Sequence, residues 1–146
     1  MGTKSLFYLL VRTQPLVGAL IARVTLGVCM LPHGVQKLQK FSATMDSFTQ
    51  QSGIPAPLAF LVVMAESFGA VGLILGVIGR FCAFGIACVM AGAIALVHGK
   101  NGFSAANKGY EYNLALLGIA LAVMVMGSGA LSFDRWMTKR LERPKE

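Results

Sequence analysis

The sequence predicts an all-α integral membrane protein, an antiparallel four-helix bundle forming one domain over residues 1–146. Three observations carry this expectation. Hydrophobic residues make up 55% of the chain and charged residues only 13%, about half the charged share of a soluble domain. The mean hydropathy is +0.68. Four apolar runs each come close to the roughly 20 residues that a helix needs to cross hydrocarbon. This composition argues against an ordinary soluble enzyme, a disordered chain or a nucleic-acid-binding domain. The net charge of +7 does not reverse that. Most Lys and Arg lie at the ends of apolar runs or in the last dozen residues, where lipid headgroups would meet them. The bilayer is the expected partner, and nucleic acid is not.

Residues 1–14 include Leu6-Phe7-Tyr8-Leu9-Leu10-Val11, too short to cross but suited to lie in the interface. No small-residue cleavage site follows cleanly, so a signal peptide is not expected. The first crossing is predicted over about 16–34, opened by Pro15 at a position where a missing N–H is harmless. The second, about 58–78, follows Pro57. The third, about 81–97, is separated from it by Gly79 and Arg80 alone, which requires a tight hairpin. The fourth covers about 113–131, and residues 132–146 form a basic tail with Trp136 at the interface, suited to headgroups. The two longer connections, Gln36 to Ala56 and His98 to Tyr112, are rich in Gly, Ser, Asn and Lys. Ala65, Gly69, Gly72 and Gly76 form one small-residue stripe on the second crossing, a packing seam rather than a ligand site.

An even number of crossings puts both termini on one side. That side carries Lys4, Arg12, Arg80, Arg135, Lys139, Arg140, Arg143 and Lys145, against Lys37, Lys40, Lys100 and Lys108 opposite. The excess of cations predicts cytoplasmic termini. Cys29, Cys82 and Cys88 all fall inside apolar runs, with neither C-x-x-C nor zinc-site spacing. They read as small buried residues, which argues against thiol redox chemistry.

Charged and polar residues at membrane depth are the candidate site. Arg23 lies about seven residues into the first crossing, roughly 10 Å deep, and Glu66 about eight residues into the second, roughly 12 Å deep. An unpaired charge there is costly, by about 2.5–3.5 kcal/mol on insertion scales. Arg23 and Glu66 are therefore expected to meet, either as a structural ion pair or as the floor of a polar pocket. His33, His98, Glu111 and Asn113 gather at the exterior end, with Glu111 placed to suit a helix dipole. Together the six residues would form a ladder from the outer surface to mid-membrane. Such a ladder suits proton transfer during quinol oxidation, recognition of a polar headgroup, or a metal or haem held by His33 and His98. The last is the weakest, because His33 is rotated roughly 80° from the Arg23 face. No metal site and no catalytic residue are assigned. G-x-S-x-G, P-loop, H-E-x-x-H and Rossmann patterns are absent from the sequence.

These residues resemble the DoxX family of small bacterial membrane proteins. The resemblance rests on Arg23-Val24-Thr25-Leu26-Gly27, His33-Gly34-Val35-Gln36-Lys37-Leu38 and Ile54-Pro55. It continues through Glu66, Gly69, Gly72-Leu73-Ile74-Leu75-Gly76, Arg80 and Glu111-Tyr112-Asn113-Leu114, and closes on Gly127-Ser128-Gly129-Ala130-Leu131-Ser132-Phe133-Asp134. It implies a four-helix bundle in the bacterial inner membrane. It also implies an association with membrane oxidoreductase complexes and quinone-linked thiosulfate oxidation.

Three functions stay open on the sequence. The first is a redox subunit that binds quinone or quinol, without a covalent cofactor, and works with a periplasmic partner. At most, the chain would be one subunit of a quinone-linked oxidoreductase. The second is a non-enzymatic anchor or assembly factor of an oxidoreductase complex. The third is a small carrier of protons, metal ions or an apolar molecule, which four short helices could serve only as a homo-oligomer or with a shallow site.

Overall fold

The structure is a computed structural model and describes residues 12–142. The proposed interfacial stretch before Arg12 and the last four residues of the tail lie outside the described residues. Those described are helical, with no strand among them. Helix α1 runs over Pro15–Gln39, and α2 is a short helix over Phe41–Asp46 that continues as a wide turn through Gln51. Helix α3 covers Ala56–Leu75, α4 covers Gly79–Asn101, α5 covers Glu111–Met126 and α6 covers Phe133–Leu141. Three of these, α1, α3 and α4, are long and apolar enough to cross a membrane. Helix α5 is apolar but has 16 residues, about 24 Å of helix.

The boundaries moved for local reasons. Helix α1 passes the expected end at Gly34, because Pro32 is accommodated inside the helix. Helix α3 stops at Leu75, not Ile78, because Gly76 adopts φ 70° and closes the helix in the left-handed conformation. The hairpin is thus Gly76–Ile78, with Ile78 itself at φ 42°, a strained value for a β-branched residue. Helix α5 stops at Met126, and residues 127–132 form a folded loop in which Gly127, Gly129 and Leu131 all have positive φ. The segment between α1 and α3, expected as an open loop, is mostly helical and packs Phe41 edge-on against Phe60 of α3, ring centres 6.4 Å apart.

Small residues set the approach of the helices. Gly34 lies against the backbone of Glu66 and Ser67, so closely that a Cβ would collide. A Cβ on Gly27 would come within 2.8 Å of the Ala70 carbonyl oxygen. These two glycines of α1, not the predicted stripe, bring α1 onto α3. The stripe is a seam with α4 instead: Gly85 faces Ala65, and a Cβ on Gly72 would lie 2.6 Å from Cys82 Sγ. Gly76 leaves the stripe for its capping role, with Ser132 packed over it. Leu26, Met30, Leu73, Ile86, Leu116 and Val123 fill the core between α1, α3, α4 and α5.

Candidate functional site

Glu66 is buried in the middle of α3, on a single wide turn formed by Ala65–Gly69. Such π-type turns recur at functional positions. Its carboxylate Oε2 takes a hydrogen bond from the Lys37 ammonium of α1. The Glu66 side chain is 4% exposed and that of Lys37 26%, so the pair is sealed on the carboxylate side and open on the ammonium side. Lys37 Nζ also sits 5.3 Å from the centre of the Phe48 ring, on the turn that returns toward α3, a distance at which a cation is attracted to the ring face. Beyond Lys37 lies an open cleft of about 260 Å³ lined by Gln36, Lys37, Lys40, Thr44, Ser47 and Phe48. Ser67, buried beside Glu66, spends its hydroxyl on the Val63 carbonyl at 2.7 Å.

The expected meeting of Arg23 and Glu66 does not occur. Arg23 is 1% exposed and gives all its hydrogen bonds to backbone carbonyls. Nε donates to Ser128 at 2.6 Å, one terminal nitrogen to Leu73 and Ile74 at 2.6 and 2.7 Å, and the other to Ala130 and Leu131 at 3.2 and 2.8 Å. The five donors of a guanidinium thus meet five acceptors. Two of those carbonyls belong to the last turn of α3, the negative end of its dipole. Counting depth inward from each helix start fails because α1 is displaced along α3. Gly34 is level with Glu66, and Arg23, eleven residues earlier, is therefore level with the end of α3, about 16 Å away. The first turns of α1 pack on the 127–132 loop, where the Ala130 N–H bonds the Leu16 carbonyl at 2.9 Å.

The other four expected residues divide between two places. His33 is exposed and stands 6.4 Å, ring to ring, from Tyr112. Asn113 is buried, its amide directed at Met90 Sδ at 3.6 Å. His98 Nδ1 bonds the Lys108 carbonyl at 2.7 Å, which fixes the proton on Nδ1 because a carbonyl only accepts. Glu111 accepts from the Ala105 N–H at 3.0 Å. His98 and Glu111 thus hold the connection between α4 and α5 in shape. No hydrogen bond joins the six into one ladder among the described residues. No cluster of three or more His, Cys, Asp or Glu side chains able to hold a metal exists among them either.

Two residues that sequence reasoning passed over matter most. Lys37 reads from the sequence as an exterior charge and a motif residue, with no site role. Its signal was the spacing Gly34–Lys37, one helical turn, which puts the ammonium over whatever Gly34 touches. Asp134, quoted only in a motif, accepts from the Ile78 and Gly79 N–H groups at 2.7 and 2.9 Å and from the Ser128 hydroxyl. It thereby caps the start of α4. Burial pushes the Asp134 carboxyl up, but Ser128, the two N–H groups and the nearby Arg23 charge outweigh it, so the group titrates below its ordinary 3.8. A depressed acid stabilises the fold above its unfolded value and loses that contribution as pH falls through the folded value. Acidification below the ordinary carboxylate range is therefore expected to lower the thermal unfolding midpoint in detergent. Asp134→Asn should start lower and show a flatter response. An identical acid response in the two proteins would contradict this role.

Apolar helices of spanning length and a charge pair whose carboxylate is buried in one of them define a helical membrane protein with a polar site. The chain belongs to the DoxX family, whose sequence model matches residues 18–99. It is 31% identical over 123 residues to a Bacillus subtilis (strain 168) protein named "Putative oxidoreductase CatD", covering 84% of this chain and 89% of that one. It is 25% identical over 124 residues to the inner membrane protein YqjF of Escherichia coli (strain K12), covering 85% of this chain and 95% of the relative. No solved structure matches.

Proposed function

We propose that this chain is the membrane subunit of a quinone- or quinol-linked redox system, with its ligand held at the Lys37–Glu66 pair. In this reading α5 crosses the bilayer as the fourth helix, both termini face the cytoplasm, and a periplasmic protein partner meets the outer connections. The observation that carries it is the pair itself: a buried carboxylate and a cleft-facing ammonium on facing helices. Intramembrane ionisable groups mark ligand and proton paths more often than they serve stability alone. Lys37 can donate to a ligand oxygen through the hydrogens that Glu66 does not take. Glu66 can accept a hydroxyl proton on Oε1, which the pair leaves unused. Phe48 offers a ring face at the edge of the open cleft. The oxidoreductase name of the Bacillus relative agrees with this reading. Arg23 has no part in it.

The second reading, a non-enzymatic anchor or assembly factor, is favoured by one observation. Arg23, His98 and Glu111 are all committed to backbone partners. Native mass spectrometry of protein extracted gently from its own membranes separates the two. A quinone-mass adduct is expected on the wild type and absent from folded Glu66→Gln. An adduct that persists undiminished in that variant would sink the quinone site at Glu66. A bound polypeptide with no small ligand would establish the anchor.

A further inference from the structure

The basic tail is not absorbed by the proposed site, and its folded part behaves as a separate surface. Helix α6 starts at Phe133, inside the expected tail of residues 132–146, with Ser132 as its N-cap accepting from the Arg135 N–H at 3.2 Å. Phe133, Trp136, Met137 and Leu141 follow the i, i+3, i+4, i+8 spacing of a single helical face, and they are 39–79% exposed. Phe133 and Trp136 pack ring to ring at 5.3 Å, and Arg140 lies 5.2 Å from the Trp136 ring centre. Arg135 and Lys139 occupy the opposite side, one turn apart.

The first turn of this helix is fixed in place. The Asp134 N–H bonds the Gly76 carbonyl at 3.0 Å, and its carboxylate holds Ile78 and Gly79 at the turn between α3 and α4. Two consequences follow. The apolar face cannot leave the plane where the spanning helices end, so it is presented at the level of the lipid headgroups. The one acidic side chain inside the helix is engaged by Ile78, Gly79 and Ser128, so it does not neutralise Arg135, Lys139 and Arg140. A second copy of the same helix would bring like charges together. An anionic surface would complement them.

We infer that α6 is an interfacial helix that binds anionic phospholipid on the membrane face carrying the α3–α4 turn, with its depth set by the Asp134 tether. The apolar face enters the headgroup boundary, where Arg140 beside Trp136 meets lipid phosphate, while Arg135 and Lys139 reach neighbouring headgroups from the water side. This inference stands independently of any quinone site.

Trp136 is the sole tryptophan of the chain, so intrinsic fluorescence reports this helix directly. The full chain would be placed in nanodiscs of phosphatidylcholine alone and of phosphatidylcholine mixed with phosphatidylglycerol. The anionic discs are expected to shift Trp136 emission to the blue and to reduce acrylamide quenching several-fold, with the difference shrinking at high salt. The R135Q/K139Q/R140Q variant should lose the lipid dependence, each cation removed weakening the association about fivefold. Charge-conserving K139R should keep it. Equal emission and quenching in the two discs would overturn the inference, without any need for the variants. So would a blue shift that follows protein concentration rather than lipid charge, which would assign the face to a second copy of the chain.

Discussion

Arg23→Leu is expected to cost the protein most of its stability, while leaving the Lys37–Glu66 pair formed in whatever fraction still folds. The substitution removes a side-chain donor from five carbonyls drawn from α3 and the 127–132 loop, of which Leu73 keeps the Gly76 N–H at 3.2 Å. A buried acceptor left without a partner costs about 1–3 kcal/mol. Allowing for water reaching some of the five, the loss is about 4 kcal/mol or more, comparable to the total stability of many domains. Arg23→Lys keeps the charge but has three donors for five acceptors, so it should fall between Leu and wild type. The thermal unfolding midpoint in detergent checks the order. If Arg23→Leu unfolds at the wild-type temperature, the guanidinium is not the staple that joins α1, α3 and the loop.

The second large effect concerns the pair. Lys37→Met leaves a carboxylate buried in the middle of α3 without its cation. Removing one member of a buried pair costs about 3–5 kcal/mol, and an exposed pair contributes about 0–1 kcal/mol. Lys37 is 26% exposed, so about 2–4 kcal/mol is expected, between those limits. Glu66→Met should cost less, because Lys37 can turn toward the cleft. The double variant K37M/E66M should recover most of the loss, since neither charge then needs a partner in an apolar setting. Additive losses in the double variant would contradict a direct pairing. The same double variant separates stability from function: a folded, stable protein without the quinone adduct would place ligand recognition on these two side chains.

Much of the fold was legible in one dimension. Low charge and four apolar runs fixed the class, because a helix that satisfies its own backbone is the simplest way to place so many apolar residues in lipid. Pro15 and the Gly79–Arg80 doublet marked real boundaries, to within a few residues, whereas Gly76, read as part of the small-residue stripe, is the residue that closes α3. The charged positions worth attention, Arg23 and Glu66, were visible for the same reason, since a charge inside an apolar run stands out. Lys37 did not stand out, because it sits at the end of its run, where a lysine is ordinary.

The sequence by itself determined that this is a helical membrane protein of the DoxX family with ionisable groups inside its apolar runs. Which groups meet was decided only by the tertiary structure. Helical periodicity states which face a residue occupies, but it contains nothing about how far one helix slides along another. That sliding is set by where Gly27 and Gly34 let α1 press onto α3. One such displacement carries Arg23 away from Glu66 to the carbonyls at the end of α3 and delivers Lys37 in its place. The folding of 127–134 over that end depends likewise on contacts between residues more than fifty positions apart, Asp134 with Ile78 and Gly79 among them.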